Sequence, residues 1–292
     1  MKPLKPSLVV VTWDGKSDPL EYIYQDTTIV PEQFDLLLFD YSGKDNSALA
    51  QNSVGGTTNF RYLSFATECK GQIITHLYNY ILNHNLSNNY QYIGIFDDDH
   101  LISVSDINKL LFIAATEKLD VFQPSLSQDS YYDNRQFINK PGYIILQAPW
   151  VEVMCPFYSM DIFMAFVPYC TNNISGTGLD VYLVPTIQYI LGKNNTAVIH
   201  AVQIKHCRPV RTGERVFSNQ KTSVQEIQEM QQISIQLLKD KGQINGSDPN
   251  YIRLMEILSH TRNGDISWVD KIKRIPLLLK NIYRALVDAS YR

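Results

Sequence analysis

Short apolar runs alternate with longer segments of helical spacing in the first half of the chain. The short runs predict buried strands at 7–12, 34–39, 90–96 and 120–123. Apolar residues recur every three or four positions at 73–82 and 105–118, which predicts two helices. Strands that alternate with helices predict an α/β fold with a mixed, mainly parallel sheet and helices on both faces.

The second half of the chain has a less regular pattern. Its apolar runs predict strands at 143–146, 150–154 and 197–204, and its helical spacing predicts helices at 160–167 and 179–191. Beyond Gly213 the chain becomes more polar, with helical spacing at 224–241, 251–260 and 275–291. We therefore predict a catalytic α/β domain at 1–218, followed by a helical C-terminal tail at 219–292.

Composition narrows the class of protein. The 292 residues are 45% apolar, which is enough for a sizeable core, and the net charge of −3 gives no general attraction to nucleic acid. No apolar run approaches the roughly 20 residues of a membrane span, and the first one is too short for a secretory signal. The four cysteines form no C-x-x-C pair, so free thiols are expected. We expect a cytoplasmic protein.

Three consecutive carboxylates follow the predicted strand at 90–96. Ligands of open α/β sheets bind beyond the carboxyl ends of the strands, which is where Asp97, Asp98 and Asp99 would lie. In an extended chain Asp97 and Asp99 point to one side, where a divalent cation would relieve their repulsion and could also bind a diphosphate. The alternative is a solvated acidic turn. We predict a metal site.

Several motifs resemble those of GT-A glycosyltransferases, and in particular of a little-characterised bacterial and plant family of proposed glycosyltransferases. The run 90–99 resembles the DxD strand, and Gly178-Leu179-Asp180 stands where the family has G-W-G-M-D. Three further segments resemble family motifs in the same order: 120–126 (I-S-Q-P-A-L), 151–159 (F-V-E-x-M-A-P-V-F-S) and 198–201 (V-V-H). The resemblance covers residues 90–206 and, more loosely, the chain from residue 7. The sequence differs from the family at Asp98, where the family often has Glu, and its tail matches no family motif.

The resemblance implies a metal-dependent transfer of a sugar from a nucleotide-diphosphate donor, most simply a UDP-sugar. It implies that Asp99 is the main metal ligand, that Asp97 supports it, and that both Asp97 and Asp98 lie at the donor. His200 would be the late metal ligand, with His206 as a rival six residues on. Imidazole beside carboxylates suits Mn²⁺ better than Mg²⁺.

The resemblance also implies roles in the reaction. Asp180 would be the general base of an inverting transfer, although an Asp that opens a helix is often only a cap. Glu152 is the competing candidate, because an unpaired carboxylate in an apolar strand would be costly, and it could orient the acceptor sugar by accepting hydrogen bonds from its hydroxyls. The leaving diphosphate could be neutralised by Lys70, Arg208 or Arg211. The nucleotide base could bind at Thr12, Trp13 and Asp14, a placement that rests only on their position at the end of the first strand, where the family binds the base.

The C-terminal segment 268–292 is locally basic and amphipathic. It either packs on the catalytic domain or lies on an anionic membrane, which would place the protein at the inner face of the cell membrane and suit a lipid-linked glycan acceptor. Two other function classes stay open. A nucleotidyltransferase also uses an acidic cluster, but it usually needs a basic Gly-rich loop after the first strand. A non-catalytic sugar-nucleotide-binding module could keep the same core.

Overall fold

The structure, a computed structural model, describes residues 6–16, 32–53, 60–209, 215–242 and 248–259. The predicted tail helix at 275–291, the basic segment at 268–292 and Arg211 lie outside these residues. Among the described residues, no helix combines the length and the apolar character that a membrane span requires.

The described residues form a mixed nine-stranded sheet with strand order β3-β2-β1-β4-β8-β6-β9-β5, in which β7 also pairs with β9. The strands are β1 Ser7–Trp13, β2 Phe34–Asp40, β3 Phe60–Ser64, β4 Tyr92–Phe96, β5 His100–Leu101, β6 Val121–Leu126, β7 Ile145–Gln147, β8 Phe157–Ser159 and β9 Thr196–His206. The first four strands in this order are parallel, as are β6 and β9. Strand β8 lies antiparallel between β4 and β6, and β5 and β7 run antiparallel to β9.

Helices cover both faces of this sheet. They are α1 Ser47–Ser53, α2 Lys70–Asn83, α3 Val104–Thr116, α4 Met160–Phe166, α5 Val184–Leu191, α6 Ser223–Asp240 and α7 Pro249–Ser259. Alternation along β1 divides the core, since Val9 and Val11 pack with α3 on one face while Leu8 and Val10 pack with α2 on the other. The predicted α/β class with a largely parallel sheet is therefore confirmed.

Two sequence-based predictions in the middle of the chain are wrong. The segment 150–154 is a buried loop and turn rather than a strand, and the backbone N–H of Glu152 donates to the side chain of Gln123 instead of to a neighbouring strand. Pro124 does not end β6, which continues to Leu126 after a shift of register between Pro124 and Ser125. Helix α1 and strands β3, β5 and β8, which are short, were not predicted.

Helix α6 begins beyond the predicted boundary at residue 218 and packs on the α/β core. Its start is fixed by a capping box, in which Thr222 and Gln225 satisfy each other's backbone N–H groups. Gly178 has φ +85°, and a side chain there would approach Ile227 and Met230 of α6 within 3.0 Å. This close approach requires glycine at the point where α6 meets the loop before Asp180.

Candidate functional site

The carboxyl ends of β1, β2 and β4 meet at one edge of the sheet, because these neighbours are parallel. Asp97, Asp98 and Asp99 follow β4 at this edge. The Tyr41 hydroxyl, just beyond β2, donates to Asp98 Oδ2 at 2.9 Å. The acidic cluster thus lies at the position where α/β sheets bind ligands.

Asp97 pairs with Lys70, the first residue of α2. The Lys70 side chain is only 7% exposed, and its ammonium also donates to the carbonyls of Ile95, at 3.3 Å, and Met154, at 3.1 Å. Burial raises the pKa of Asp97 more than the Lys70 charge lowers it. Lys70 is therefore a fixed positive charge beside the acidic cluster rather than a solvated surface lysine.

Arg208, two residues after β9, contacts both other members of the cluster. Its guanidinium pairs with Asp98 Oδ1, and its Nε lies 3.1 Å from Asp99 Oδ2. About half of the Arg208 side chain is exposed, so it can change partners without disturbing the core. This arrangement fits the predicted role of Arg208 beside an anionic group.

Asp99 forms a compact group with two histidines. Pairing of β5 with β9 sets His100 directly opposite His206, and their rings stack with centroids 4.9 Å apart. Asp99 Oδ1 lies 3.3 Å from His100 Nδ1, and Asp99 Oδ2 lies 3.2 Å from His206 Nε2. One ligand atom from each of the three residues lies within 4.8 Å of the others, a spacing that a metal ion could bridge.

The protonation of this group suits a cation. Burial alone would raise the pKa of Asp99, but the hydrogen bond from His206, with the charges of the two histidines and Arg208, lowers it to about 2. Burial lowers the pKa of His100 to about 3, so this imidazole is neutral at pH 7. Asp99 Oδ1 and both ring nitrogens of His100 are buried and lack a hydrogen-bond partner among the described residues. Such orphaned atoms are costly unless a ligand uses them.

The two candidate late histidines differ in which ring nitrogen is available. His206 Nδ1 lies 2.8 Å from the Tyr131 carbonyl and donates to it, which leaves Nε2 facing Asp99 Oδ2 at 3.2 Å. Burial would lower the pKa of His206, but the hydrogen bonds to Asp99 and Tyr131 raise it, so Nε2 donates to Asp99 and would have to lose its proton to bind a metal. His200 Nδ1 instead accepts from the Lys140 backbone N–H at 3.1 Å, which places the proton of the neutral ring on Nε2. Burial lowers the pKa of His200 to about 4. The ring geometry favours His206 over His200 as a ligand.

Glu152 lies in the buried loop after β7 and is only 4% exposed. Its Oε1 accepts from the Asn134 amide at 2.8 Å, whereas Oε2 is buried without a hydrogen-bond partner in the described part of the chain. Burial raises its pKa to about 8, and the nearby Asp180 charge adds to the effect while Asn134 opposes it. Glu152 is thus protonated at pH 7.

Asp180 lies in a π-helical turn, Leu179–Leu183, which runs directly into α5. Single π-turns are frequent at functional sites. Its Oδ2 accepts from the Val153 N–H at 3.3 Å, next to Glu152, and its Oδ1 accepts from the Val181 N–H at 2.9 Å. The structure therefore brings the two predicted catalytic acids together around the loop 150–154.

The remaining predicted residues lie at the end of β1. Thr12 and Trp13 are buried, whereas Asp14 is half-buried and accepts from the Lys16 N–H. Burial and the contact with Asp98 raise the pKa of Tyr41, and the charge of Asp14 adds to the effect, so Asp14 lies near the acidic cluster. These positions are consistent with a ligand at this edge, and their binding of a nucleotide base stays a prediction.

Three residues of this site were not predicted, namely His100, Tyr41 and Asn134. His100 carried a signal, because it follows the acidic cluster directly and histidine is a common metal ligand. The other two approach from distant loops, and nothing in their local sequence distinguishes them from ordinary polar residues.

Comparison with known proteins supports the fold but no close relationship. No protein-family model matches the sequence, and no curated protein matches it. The solved structure of Staphylococcus aureus TarS residues 1–349 superposes with a TM-score of 0.57 at 10% identity, covering 87% of this chain and 71% of that one. The same TarS segment in complex with UDP-GlcNAc gives 0.53 at 13% identity, covering 87% and 72%. Its complex with UDP gives 0.50 at 12% identity, covering 87% and 71%.

At these identities the likeness shows the fold alone. The chain has the GT-A type of mixed α/β fold, as the sequence predicted. Membership of the bacterial and plant family, the identification of Asp97–Asp99 as a DxD motif and the roles of the site residues stay predictions.

Proposed function

We propose that this protein is a metal-dependent glycosyltransferase that uses a nucleotide-diphosphate sugar. The observation that carries the proposal is the group formed by Asp99, His100 and His206 at the carboxyl edge of a GT-A fold. An ionised carboxylate and a neutral, buried imidazole offer lone pairs that the described residues leave unused. Burial raises the pKa of Asp97 and the nearby charge of Asp99 adds to the effect, so Asp97 lies close to this group and would support the site.

These residues fit a divalent cation that accepts both oxygen and nitrogen ligands, and Mn²⁺ suits such a mixture better than Mg²⁺. A bound cation would act as a Lewis acid toward the diphosphate oxygens of the donor. Lys70 provides a fixed positive charge beside Asp97, and Arg208 a more exposed one beside Asp98 and Asp99. We infer that both cations neutralise the diphosphate as it leaves. Asp98, which contacts Arg208, would orient that guanidinium.

The donor would bind along the ends of β1 and β4, with its base near Thr12, Trp13 and Asp14. UDP-sugars are the first donors to test, since the TarS structures that share this fold include complexes with UDP-GlcNAc and UDP. We propose a glycan or lipid-linked acceptor. The basic segment 268–292 would bring the protein to an anionic membrane if the acceptor is lipid-linked.

Asp180 and Glu152 would act on the acceptor side of the site. We infer that Asp180 takes the proton of the attacking hydroxyl, because it is the nearby acid held by backbone N–H donors, which stabilise its charged form. Glu152, protonated and buried, can donate a hydrogen bond to the substrate from its second oxygen. In-line attack opposite the diphosphate would invert the configuration of the transferred sugar.

Calorimetric titration with UDP, GDP and UDP-GlcNAc, each with MnCl₂ and with EDTA, tests the proposal. We expect nucleotide binding that requires Mn²⁺, together with a rise in the unfolding temperature that grows with ligand concentration. A screen of UDP-sugars for slow donor hydrolysis then identifies the sugar. Equal nucleotide affinity in EDTA, or no binding of any nucleotide, would refute the metal-dependent site.

A further inference from the structure

Helix α6 contributes one fully buried carboxylate, that of Glu226. Its Oε1 accepts from the backbone N–H of Ile174 at 2.8 Å and from the Asn219 side-chain amide at 2.7 Å. Its Oε2 accepts from the backbone N–H of Ser175 at 2.8 Å. A buried charge is tolerated only when it is well bonded, and here two of the three donors belong to a single loop.

That loop, residues 173–178, is also fixed by its own side chains. Asn173 accepts from the Gly176 N–H at 2.7 Å and donates to the Thr177 carbonyl at 3.0 Å. The Thr177 hydroxyl donates to the Ser223 carbonyl at the start of α6, also at 3.0 Å. The loop is therefore held against α6 at both of its ends.

The loop in turn contacts the first turn of α2. The Gly71 N–H donates to the Ile174 carbonyl at 3.0 Å, and the Cys69 thiol donates to the Ser175 carbonyl at 3.3 Å. A side chain at Gly71 would come within 2.1 Å of the Asn173 carbonyl oxygen, so the two segments touch without a gap. Lys70 lies between these contacts, and its direction toward Asp97 depends on them.

A second route leads from the loop to Asp180. The Gly178 carbonyl accepts from the N–H groups of Tyr182, at 3.1 Å, and Leu183, at 3.2 Å, and so starts the π-helical turn that contains Asp180. The loop therefore sets the position of a residue on each side of the site.

We propose that Glu226 is a positioning residue, which fixes loop 173–178 and thereby holds both Lys70 and Asp180 in place. The α6 segment would then be part of the working site rather than a separate appendage. The roles of Lys70 and Asp180 that give this inference its functional meaning rest on the proposed function, whereas the mechanical coupling does not.

The substitution Glu226→Gln keeps the shape of the side chain but presents an N–H group to one of the loop N–H donors. The matched control is Glu229→Gln on the same helix, whose carboxylate is partly exposed and pairs with Lys221. Hydrogen exchange without ligand should be faster in Glu226→Gln at 173–176, and also at 69–73 and 178–183, with no change in the control. Faster exchange confined to 173–176, or spread equally to the distant strand β3, would overturn the inference.

Titration of the protein with UDP in the presence of MnCl₂ tests whether the coupling affects nucleotide binding. Glu226→Gln should bind UDP about tenfold more weakly, roughly the effect of losing one charged hydrogen bond. Adding it to Lys70→Met should weaken binding no further, because coupled residues are not additive. Additive losses, or wild-type affinity in Glu226→Gln, would overturn the coupling to Lys70. If the wild-type protein binds no nucleotide, the proposed function fails, and the exchange experiment still decides the role of Glu226.

Discussion

Two groups of acidic residues lie at the same edge of the sheet but have opposite electrostatic environments. The cluster after β4 is surrounded by cationic side chains, with Lys70 on Asp97 and Arg208 on both Asp98 and Asp99. In the other group, Glu152 accepts from the neutral amide of Asn134 and Asp180 accepts from backbone N–H groups. The pKa of Asp99 falls to about 2, while that of Glu152 rises to about 8.

This difference indicates a division of labour within the proposed reaction. A carboxylate such as Asp99, whose pKa of about 2 keeps it ionised at physiological pH, together with the cationic side chains around it, is suited to a cation and a diphosphate, which are charged species. A buried acid that keeps its proton, Glu152, beside a carboxyl group that accepts from two backbone N–H groups, Asp180, is suited to proton transfer and hydroxyl recognition. Substitutions in one group should therefore affect metal and donor binding, and substitutions in the other should affect the rate of transfer.

The largest expected effect is on the rate of transfer. Asp180→Asn should bind the donor normally but lose about 10²- to 10⁴-fold in turnover, because the amide keeps the shape and cannot take a proton. Turnover and donor affinity should be measured on the same preparation. Glu152→Gln is the companion variant, and it becomes the main suspect if Asp180→Asn turns over at a near-normal rate.

The stereochemistry of the product provides an independent check on Asp180. A base opposite the leaving diphosphate leads to one displacement and an inverted anomeric carbon. The configuration can be read by NMR from the first minutes of reaction. A retained configuration would contradict the role of Asp180 whatever its effect on the rate.

In the cluster after β4, Asp99→Ala should weaken Mn²⁺-dependent UDP binding at least about 100-fold, since it removes the carboxylate of the Asp99-His100-His206 group. The fold should persist, because Asp99 is a site residue rather than part of the apolar core. Asp129→Ala is the control, as this exposed carboxylate pairs with Lys205 on the neighbouring surface. Unchanged UDP affinity in Asp99→Ala would remove the basis for the metal site.

A smaller effect should separate the two histidines. His206→Gln should lower the affinity for Mn²⁺ by at least about tenfold, the lower end of what even an outer-shell partner of a metal typically contributes. His200→Gln should leave it unchanged, because its Nδ1 already accepts from Lys140. Both affinities can be measured by electron paramagnetic resonance of free Mn²⁺. The reverse order would restore His200 as the ligand and contradict the tautomer argument.

The fold could be predicted where the apolar pattern was strong. Strands β1, β2, β4 and β9 and helices α2, α3 and α6 lie where spacing placed them, because each buries a continuous face. The segment 150–154 failed for a physical reason: an apolar run shows that residues are buried but not how their backbone is bonded. Strand β8 is too short to have a pattern of its own, and its position depends on β4 and β6 on either side.

The site was predictable only where the chemistry is local. Three consecutive acids after a strand are visible in the sequence, and so is Asp180 after a glycine-rich loop. The choice between His200 and His206 required the pairing of β5 with β9, which no local pattern encodes. Glu226 looks like any polar residue on an amphipathic helix until its burial is known.

The raised pKa of Glu152 makes the stability of the protein depend on pH. Its pKa rises from 4.5 to about 8 on folding. Between these values the folded protein keeps a proton that the unfolded chain has already released. The free energy of unfolding contributed by this group is therefore highest below pH 4.5 and falls as the pH rises toward 8.

Glu152→Gln removes this dependence, because an amide does not ionise. Relative to wild type, the variant should gain up to about 1.4 kcal/mol in the free energy of unfolding for each pH unit between 5 and 8. Urea unfolding at pH 5, 6.5 and 8 measures the difference, with Glu229→Gln as the partly exposed control. Parallel curves for wild type and Glu152→Gln would mean that Glu152 is ionised in the folded protein. Glu152 would then be ionised like Asp99, and the assignment of proton transfer to the group of Glu152 and Asp180 would lose its support.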